Sequence, residues 1–506
     1  MKKILYSILF IASAMFASCD DYLELSSEDS FVDGNYWTSA ATVGAFVDGL
    51  HIDLRSKEST LYLAGEQRGG LLSGVSTFGV TINYANLINH TITVDSPVFG
   101  WSGFYSSILQ VNILIDKLEK GLSFLSEAEK NYYLGQAYGL RSYYYFYLLR
   151  MFGGVPIVDA PKVTQGATSA DQLYTARSTE AETLEFIKKD VERSETAFSS
   201  DNFTLASKRN LWNKAATLML KAEVYLWAAK VYGGTTKTSD LNTAKTALTA
   251  IKNSNKFDLM DNFADVFDYN NKGNKEIIFS MYHLRDEAEL YMKLFTYDIP
   301  TMANYYDRNG NAMNDPLNVG DKTSTNFEWK WSFYETFDAA DTRRDATFLD
   351  FYSQDGSKKG VVLRKFLGTV DASTKIRYYC DDMPVYRYAD LLLMMAEIKN
   401  ALQEDPSDEI NAIRERAYGE GNYTVYTNQD FAANELAILA ERDKEFVREG
   451  KRWFDVRRMQ DANGKPLAFT LSGLSESESY KLKYPLTNST LLGDPALEQT
   501  PEWVGK

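Results

Sequence analysis

The sequence predicts a mostly α-helical fold: tetratricopeptide-like helical hairpins, with long inserted loops and short β elements forming a ligand face. Three observations carry that prediction. Apolar residues recur at steps of three and four in several stretches. These stretches come in pairs separated by short breaks, which makes the two helices of a pair antiparallel. Small residues such as Ala137, Ala215 and Ala222 lie on the stripes and permit close helix approach. Long segments without this period interrupt the pairs, so the chain is not a regular solenoid.

The first pair spans about 103–153. Phe104, Ile108, Val111, Ile115 and Leu118 form one stripe, and Gly121 closes it. Ser126 and Glu129 form a capping box that opens the next helix, with Ala137, Leu140, Tyr144 and Leu148 on one side. Gly153, Gly154 and Pro156 end it. The second pair, about 209–253, carries Leu211, Ala215, Leu218, Ala222, Tyr225 and Ala229. It breaks at Gly233 and Gly234, then resumes with Leu241, Ala244, Leu248 and Ile251. The third pair, about 384–418, opens at Pro384, a favoured first-turn residue. A fourth long helix is expected over 431–459. The insertions lie at about 51–101 and 255–380. The first has β-favouring pieces at 80–82 and 91–94, and the second has short strands at 276–281 and 360–366. Residues 460–506 are mostly irregular.

The amino terminus carries an address. Lys2 and Lys3 precede an apolar run over 4–16, followed by Ala17, Ser18, Cys19 and two aspartates. This is an export signal, too short to span a membrane comfortably. A cysteine directly after small residues is the pattern of a bacterial lipoprotein signal, although Phe16 stands where such signals usually carry leucine. The expected layout is a signal peptide at 1–18, a lipidated Cys19 opening an acidic tether at 19–31, and the folded domain at 32–506. The protein is therefore expected outside the cytoplasm, held on a membrane by its lipid.

Composition removes several function classes. A formal net charge of −15 repels nucleic acid. With Cys19 acylated, Cys380 stands alone and no intramolecular disulfide can form. His51, His90 and His283 are far apart, so neither a metal site nor a cofactor is expected. Asp268, Asn270 and Gly273 faintly echo a calcium loop, but Lys272 and Phe279 occupy positions that need oxygen ligands. No GxSxG elbow or GxxxxGK[ST] loop is present. Glu441 and Glu445, one helical turn apart, would lie about 5–6 Å from each other. That separation approaches the spacing of a retaining glycosidase pair. Interleaved Arg442, Lys444 and Arg448 favour ionised, paired carboxylates instead. The chain is not expected to be an enzyme.

Ordered blocks along the chain resemble the SusD/RagB family of surface lipoproteins. They are Cys19-Asp-Asp-Tyr-Leu at the start, then Trp101, Tyr105 and Asn112. Arg141-Ser-Tyr-Tyr-Tyr-Phe and Phe152-Gly-Gly-Val-Pro-Ile follow, then Arg387-Tyr-Ala-Asp through Ala396-Glu397, and Ile413-Arg414. Glu441-Arg442, Glu445-Phe446, Glu449-Gly450 and Arg452-Trp-Phe-Asp with Arg457 form the strongest block. Tyr484-Pro485 and Asp494-Pro495 fit the closing segment, whereas Pro501-Glu502-Trp503 departs from it. The resemblance covers essentially the whole mature chain. It implies a tetratricopeptide-type helical core and, as partner, a SusC-like TonB-dependent transporter of the outer membrane over which the lipoprotein sits as a lid. It implies a glycan ligand for most members and a peptide for some. A glycoside hydrolase on a helical scaffold is the alternative from another class.

Aromatic residues make up 14 % of the chain, with 33 tyrosines. A flat apolar ring with a hydroxyl suits a sugar, whose C–H faces stack and whose hydroxyls need polar partners. Candidate glycan-binding residues in the first insertion are Arg68, Asn83, Tyr84 and Asn86. Those in the second are Tyr291, Tyr305, Tyr306, Asp307, Trp329 and Trp331. If 329–331 is extended, Trp329 and Trp331 face the same side and offer adjacent ring platforms.

Overall fold

The computed structural model describes residues 36–96, 98–320 and 323–506. The expectations for the signal, Cys19 and the tether lie outside the described residues. Helices dominate, as expected, and they stack in chain order. Helix α1 (Ala40–Ser56) and α2 (Glu58–Glu66) precede the array. α3 (Ser102–Lys120) pairs with α4 (Glu127–Phe152), and α4 also packs on α5 (Glu180–Ala197). α6 (Lys214–Trp227) runs into a π turn at Ala228–Tyr232 and pairs with α7 (Lys237–Asn253). α8 (Tyr388–Ala401) packs on α7, on α9 (Ser407–Tyr418) and on α10 (Phe431–Glu445). α11 (Arg452–Arg458) closes against α2.

The expected Ser126–Glu129 capping box is present, with the Glu129 carboxylate accepting the Ser126 N–H at 2.9 Å. Three of these helices, α1, α2 and α5, were not anticipated. α1 interrupts the start of the first insertion, and α5 fills the gap between the first two pairs. Both carry capping boxes (Ser39 with Thr42, Thr179 with Glu182) and apolar stripes, Val43/Val47/Leu50/Leu54 and Leu184/Ile187/Val191.

α4 is the buried spine of the array, with every residue from Leu134 to Phe152 inside. Gly139 is what lets its neighbour approach: a Cβ there would lie 2.0 Å from the Trp212 indole nitrogen. Trp212 in turn donates to Thr217 on α6, and Thr217 and Ser194 of α5 share a hydrogen bond. Arg141 of α4 reaches Asp190 of α5 at 2.7 Å and Asn112 of α3 at 2.8 Å, so one guanidinium ties three helices.

Among the described residues, six short strands form three two-stranded antiparallel sheets. β1 (Ile277–Met281) pairs with β6 (Met383–Arg387), β2 (Phe348–Tyr352) with β3 (Lys359–Leu363), and β4 (Thr369–Val370) with β5 (Arg377–Tyr378). The expected strands at 276–281 and 360–366 are therefore present to within a few residues, while 80–82 and 91–94 form none. Pro384 does not open a helix. It sits in β6 opposite Ser280, on a strand with only one partner, where the missing N–H is tolerated. A small second core of Tyr297, Met302, Tyr305, Met313, Leu317, Val319, Phe351 and Val362 underlies the second insertion.

The stretch expected as one helix over 431–459 is two helices joined by a turn at 446–451. The cause is Glu66 on α2. Its carboxylate accepts the Arg448 N–H at 3.1 Å and the Gly450 N–H at 3.0 Å, capturing donors a continuous helix would use itself. Arg448 and Gly450 adopt positive φ at 65° and 70°. Gly65 presses on the same turn: a Cβ there would meet the Gly450 carbonyl at 1.7 Å.

This turn sits in a network of buried ion pairs. Arg387, at the end of β6, donates to Glu276 (2.7 Å), Glu445 (2.6 Å) and Glu449 (2.8 Å). Arg343 holds Asp341 (2.8 Å) and Glu441 (2.9 Å), Lys365 holds Glu449 (2.6 Å), and Arg416 bridges Glu276 and Glu445. Nearby, Arg442 links Asp390 to Asp455, and Arg458 links Asp455 to Glu397. Burial pushes the Glu445 carboxyl up, but Arg416, Arg387 and Arg343 together outweigh it and hold it well below the usual carboxylate range. Asp390 and Glu449 are lowered for the same reason.

Glu445→Gln leaves three buried guanidiniums under-compensated, and a loss of about 3–5 kcal/mol in unfolding free energy is expected by denaturant titration. Because these carboxylates have depressed pKa values when folded, their contribution is complete above the unfolded carboxylate value. It is lost as pH falls below about 4.5 toward the folded values. A thermal melt series should show that decline in the wild type and a shallower one in Glu445→Gln.

Candidate functional site

The expected ligand residues separate into three environments. Two belong to the core. Arg68 is fully buried, its guanidinium carbon 4.2 Å from the Trp453 ring centroid and its Nε donating to His90 Nδ1 at 3.3 Å. Trp329 is 1 % exposed and lies between Phe295 and Phe348, with its backbone bridged to Leu72. Neither presents a face to a ligand. The expected pair of adjacent tryptophan platforms fails for a geometric reason. The chain leaves the extended state at Lys330 and enters a helical turn, Trp331–Tyr334, so the two-residue alternation is broken. Trp331 is half-buried, its ring flanked by Tyr334 and Tyr352 and covered by the Lys359 ammonium at 4.7 Å.

Three others shape the second insertion. Tyr305 is buried in the small core against Phe78 and Phe351. Tyr306 exchanges backbone hydrogen bonds with Tyr352 at 2.8 and 2.9 Å. Asp307 holds a turn by accepting from the Asn309 and Asn311 N–H groups and from the Asn311 side chain, which lowers its pKa.

The remaining four converge. Tyr84 is 37 % exposed, has φ of 54° and stands at the head of a single helical turn, Ala85–Ile88. Its ring stacks on Phe327 with centroids 6.2 Å apart and planes at 23°. Tyr291 meets the same Phe327 edge-on at 6.2 Å. The Asn83 side chain lies beside the Tyr291 hydroxyl, and burial, with Tyr84 nearby, raises that hydroxyl's pKa. Asn86 braces the turn: its carbonyl accepts the Thr91 N–H at 2.8 Å and its side-chain oxygen the Leu87 N–H at 3.1 Å. Asn326 completes the support, its carbonyl accepting the Asn83 N–H (2.9 Å) and its amide donating to the Thr81 carbonyl (2.7 Å). Phe327 and Asn326 were missed in the sequence. They sit two and three residues before Trp329, in the same aromatic, asparagine-rich run.

Tyr291 also lines an open groove of about 630 Å³ between the end of α1 and residues 283–294. Ile52, Arg55, His283, Leu290 and Leu294 contribute to its walls. Arg55 is held by the Tyr282 carbonyl at 2.8 Å and by Glu287 at 2.6 Å. The groove was not foreseen because α1 was not.

No catalytic pair is assembled at Glu441 and Glu445, since both carboxylates are spent in ion pairs with arginines. Asp268 accepts the Asn270 N–H at 2.8 Å and makes a turn, as expected for this stretch. Cys380 is buried. Among the described residues, no helix is long and apolar enough to cross a membrane.

Residues 225–503 match a family model described as the SusD family, and residues 21–226 match one described as starch-binding and associating with the outer membrane. A SusD superfamily protein from Bacteroides fragilis is 36 % identical with a TM-score of 0.84, covering 92 % of this chain and 99 % of that one. A SusD-like protein, P38, from Formosa agariphila is 26 % identical over 97 % of both chains. A surface glycan-binding protein from Bacteroides thetaiotaomicron, solved with laminarihexaose, shares the fold at 20 % identity, with a TM-score of 0.66 over 92 % of this chain and 100 % of that one.

The environments separate two kinds of aromatic truncation. Trp329→Ala removes a core ring, and a loss of about 3–5 kcal/mol in stability is expected. Tyr84→Ala removes an exposed ring, so the melting temperature should hold within a few degrees while affinity for a bound glycan falls. Paired thermal melts and calorimetric titrations read both. From the ordered fold and the matched length, the chain belongs to the SusD family.

Proposed function

We propose that the chain captures an oligosaccharide on the Asn83–Tyr84–Tyr291 face and passes it, unaltered, to a TonB-dependent transporter in the outer membrane. Glycan binding in nutrient uptake is what the family's descriptions support: one matched model is starch-binding, and a fold relative holds laminarihexaose. Lipid anchoring through Cys19, surface exposure and the transporter partner rest on the sequence pattern and the family resemblance.

One observation carries the location. Tyr84 is a partly exposed aromatic whose ring stacks, offset, on Phe327, beside a second tyrosine and an asparagine. A pre-set ring face binds a pyranose with little ordering cost. Asn83 and the Tyr291 hydroxyl stand where planar donors and acceptors would meet sugar hydroxyls. The groove leading from Tyr291 is of ligand-pocket size. Binding followed by release needs no proton transfer.

The test is incubation of the mature protein with a panel of oligosaccharides, read by both retention and product length. Retention of at least one glycan with its chain length unchanged is expected. A shortened product would make the protein a hydrolase, and retention of peptides with no glycan bound would make it a peptide carrier.

A further inference from the structure

A second groove, of about 430 Å³, lies beside Lys330. Its walls are the Gly70–Leu71 backbone, the turn carrying Lys330, Ser332 and Phe333, and the face of α10 with Ala440, Asp443 and Lys444. Two of its ammonium groups are poorly compensated. Lys330 is held by a neutral partner, the Gly70 carbonyl at 2.7 Å. Lys444 lies 3.9 Å from Asp341, whose carboxylate is already occupied by Arg343 at 2.8 Å, and near Glu441, which is shared between Arg343 and Arg414. The groove's own carboxylate, Asp443, lies 2.7 Å from Arg452, and burial still pushes its carboxyl up to about 6. The local balance is positive, in a chain whose net charge is −15.

We propose that this groove binds an anionic group, a carboxylate or sulfate ester carried by an acidic glycan. The proposal rests on the glycan-binding reading and narrows its substrate class. Burial holds both lysines below the ordinary ammonium range. A bound anion restores what desolvation removed, which is the condition under which a charge-assisted contact is strong. Ser332 adds an exposed hydroxyl at the rim. The volume suits one charged sugar residue with its neighbour continuing into solvent.

The experiment is calorimetric titration of the mature protein with three oligosaccharides matched in length, one neutral, one uronate-containing and one sulfated, together with sodium sulfate alone. The variants are Lys330→Met, Lys444→Met and the pair, with Lys275→Met as a charge control distant in sequence and paired to Asp261. A charged oligosaccharide is expected to bind at least about tenfold more tightly than the neutral one, the scale of one charge-assisted hydrogen bond. That preference should vanish in the double variant, survive Lys275→Met and weaken in about 1 M sodium chloride. The uronate and sulfated arms distinguish the two anion sources. Equal affinity for charged and neutral chains, or a charge preference that survives the double variant, overturns the proposal. If no oligosaccharide binds at all, the glycan reading fails, and sulfate alone then decides the groove. Saturable thermal stabilisation by sulfate that is lost in the double variant supports the anion site, and its absence overturns it. The single variants guard against misfolding of the pair, since each should lose part of the preference with its melting temperature retained.

Discussion

The interaction on which the rest of the structure depends is the buried contact of Arg387 with Glu276, Glu445 and Glu449. These residues come from β6, the start of β1, the end of α10 and the turn after it. Those four segments are far apart in the sequence, and the guanidinium meets carboxylates from three of them at one point. A buried ion network is a poor source of net stability, since desolvation offsets most of the attraction. What it supplies is registry. Shifting β6 by one residue would strand a guanidinium among apolar side chains, and shifting α10 would strand Glu441 and Glu445. The small sheets are thereby set at one position against the helical array.

That registry carries outward to the insertions. Glu66 fixes the 446–451 turn and with it the end of α2, from which the chain leads through Gly69 and Gly70 to Leu72. Leu72 pairs with Trp329, and Asn83 with Asn326, so the first insertion is tied by backbone hydrogen bonds to the second. Tyr84 and Tyr291 come from segments about two hundred residues apart. They meet over Phe327 only because both insertions are clamped to the same frame. A rigid frame under ring faces set in advance fits a protein whose task is selective capture.

Much of the helical core was legible from the chain. A 3.6-residue period and a capping box are local signals, and Ser126–Glu129 with the stripes of α3, α4, α6 and α7 are such signals. α1 and α5 carry equally local ones in Val43/Val47/Leu50/Leu54 and in Thr179–Glu182. The break at 446–451 was not legible, because its cause, Glu66, lies some 380 residues upstream. The aromatic, asparagine-rich insertions were legible as regions, but the surroundings of each residue in them were not. Arg68, Trp329 and Tyr305 have the composition of sugar-binding residues, yet their burial is decided by tertiary neighbours: Trp453 beside Arg68, Phe295 and Phe348 around Trp329, Phe78 and Phe351 around Tyr305. Residues that look functional by motif, such as Arg141, Asn112, Asp390 and Glu397, prove to be clamps between helices.

The central claim is that a helical frame stays fixed while the inserted segments bind. Hydrogen exchange of the mature protein, with and without a bound oligosaccharide, tests it most directly. The account predicts new protection confined to residues 81–91, 288–294 and 325–336, with exchange in α3 through α7 unchanged. Protection that appears along those helices while the insertions exchange as before would contradict it.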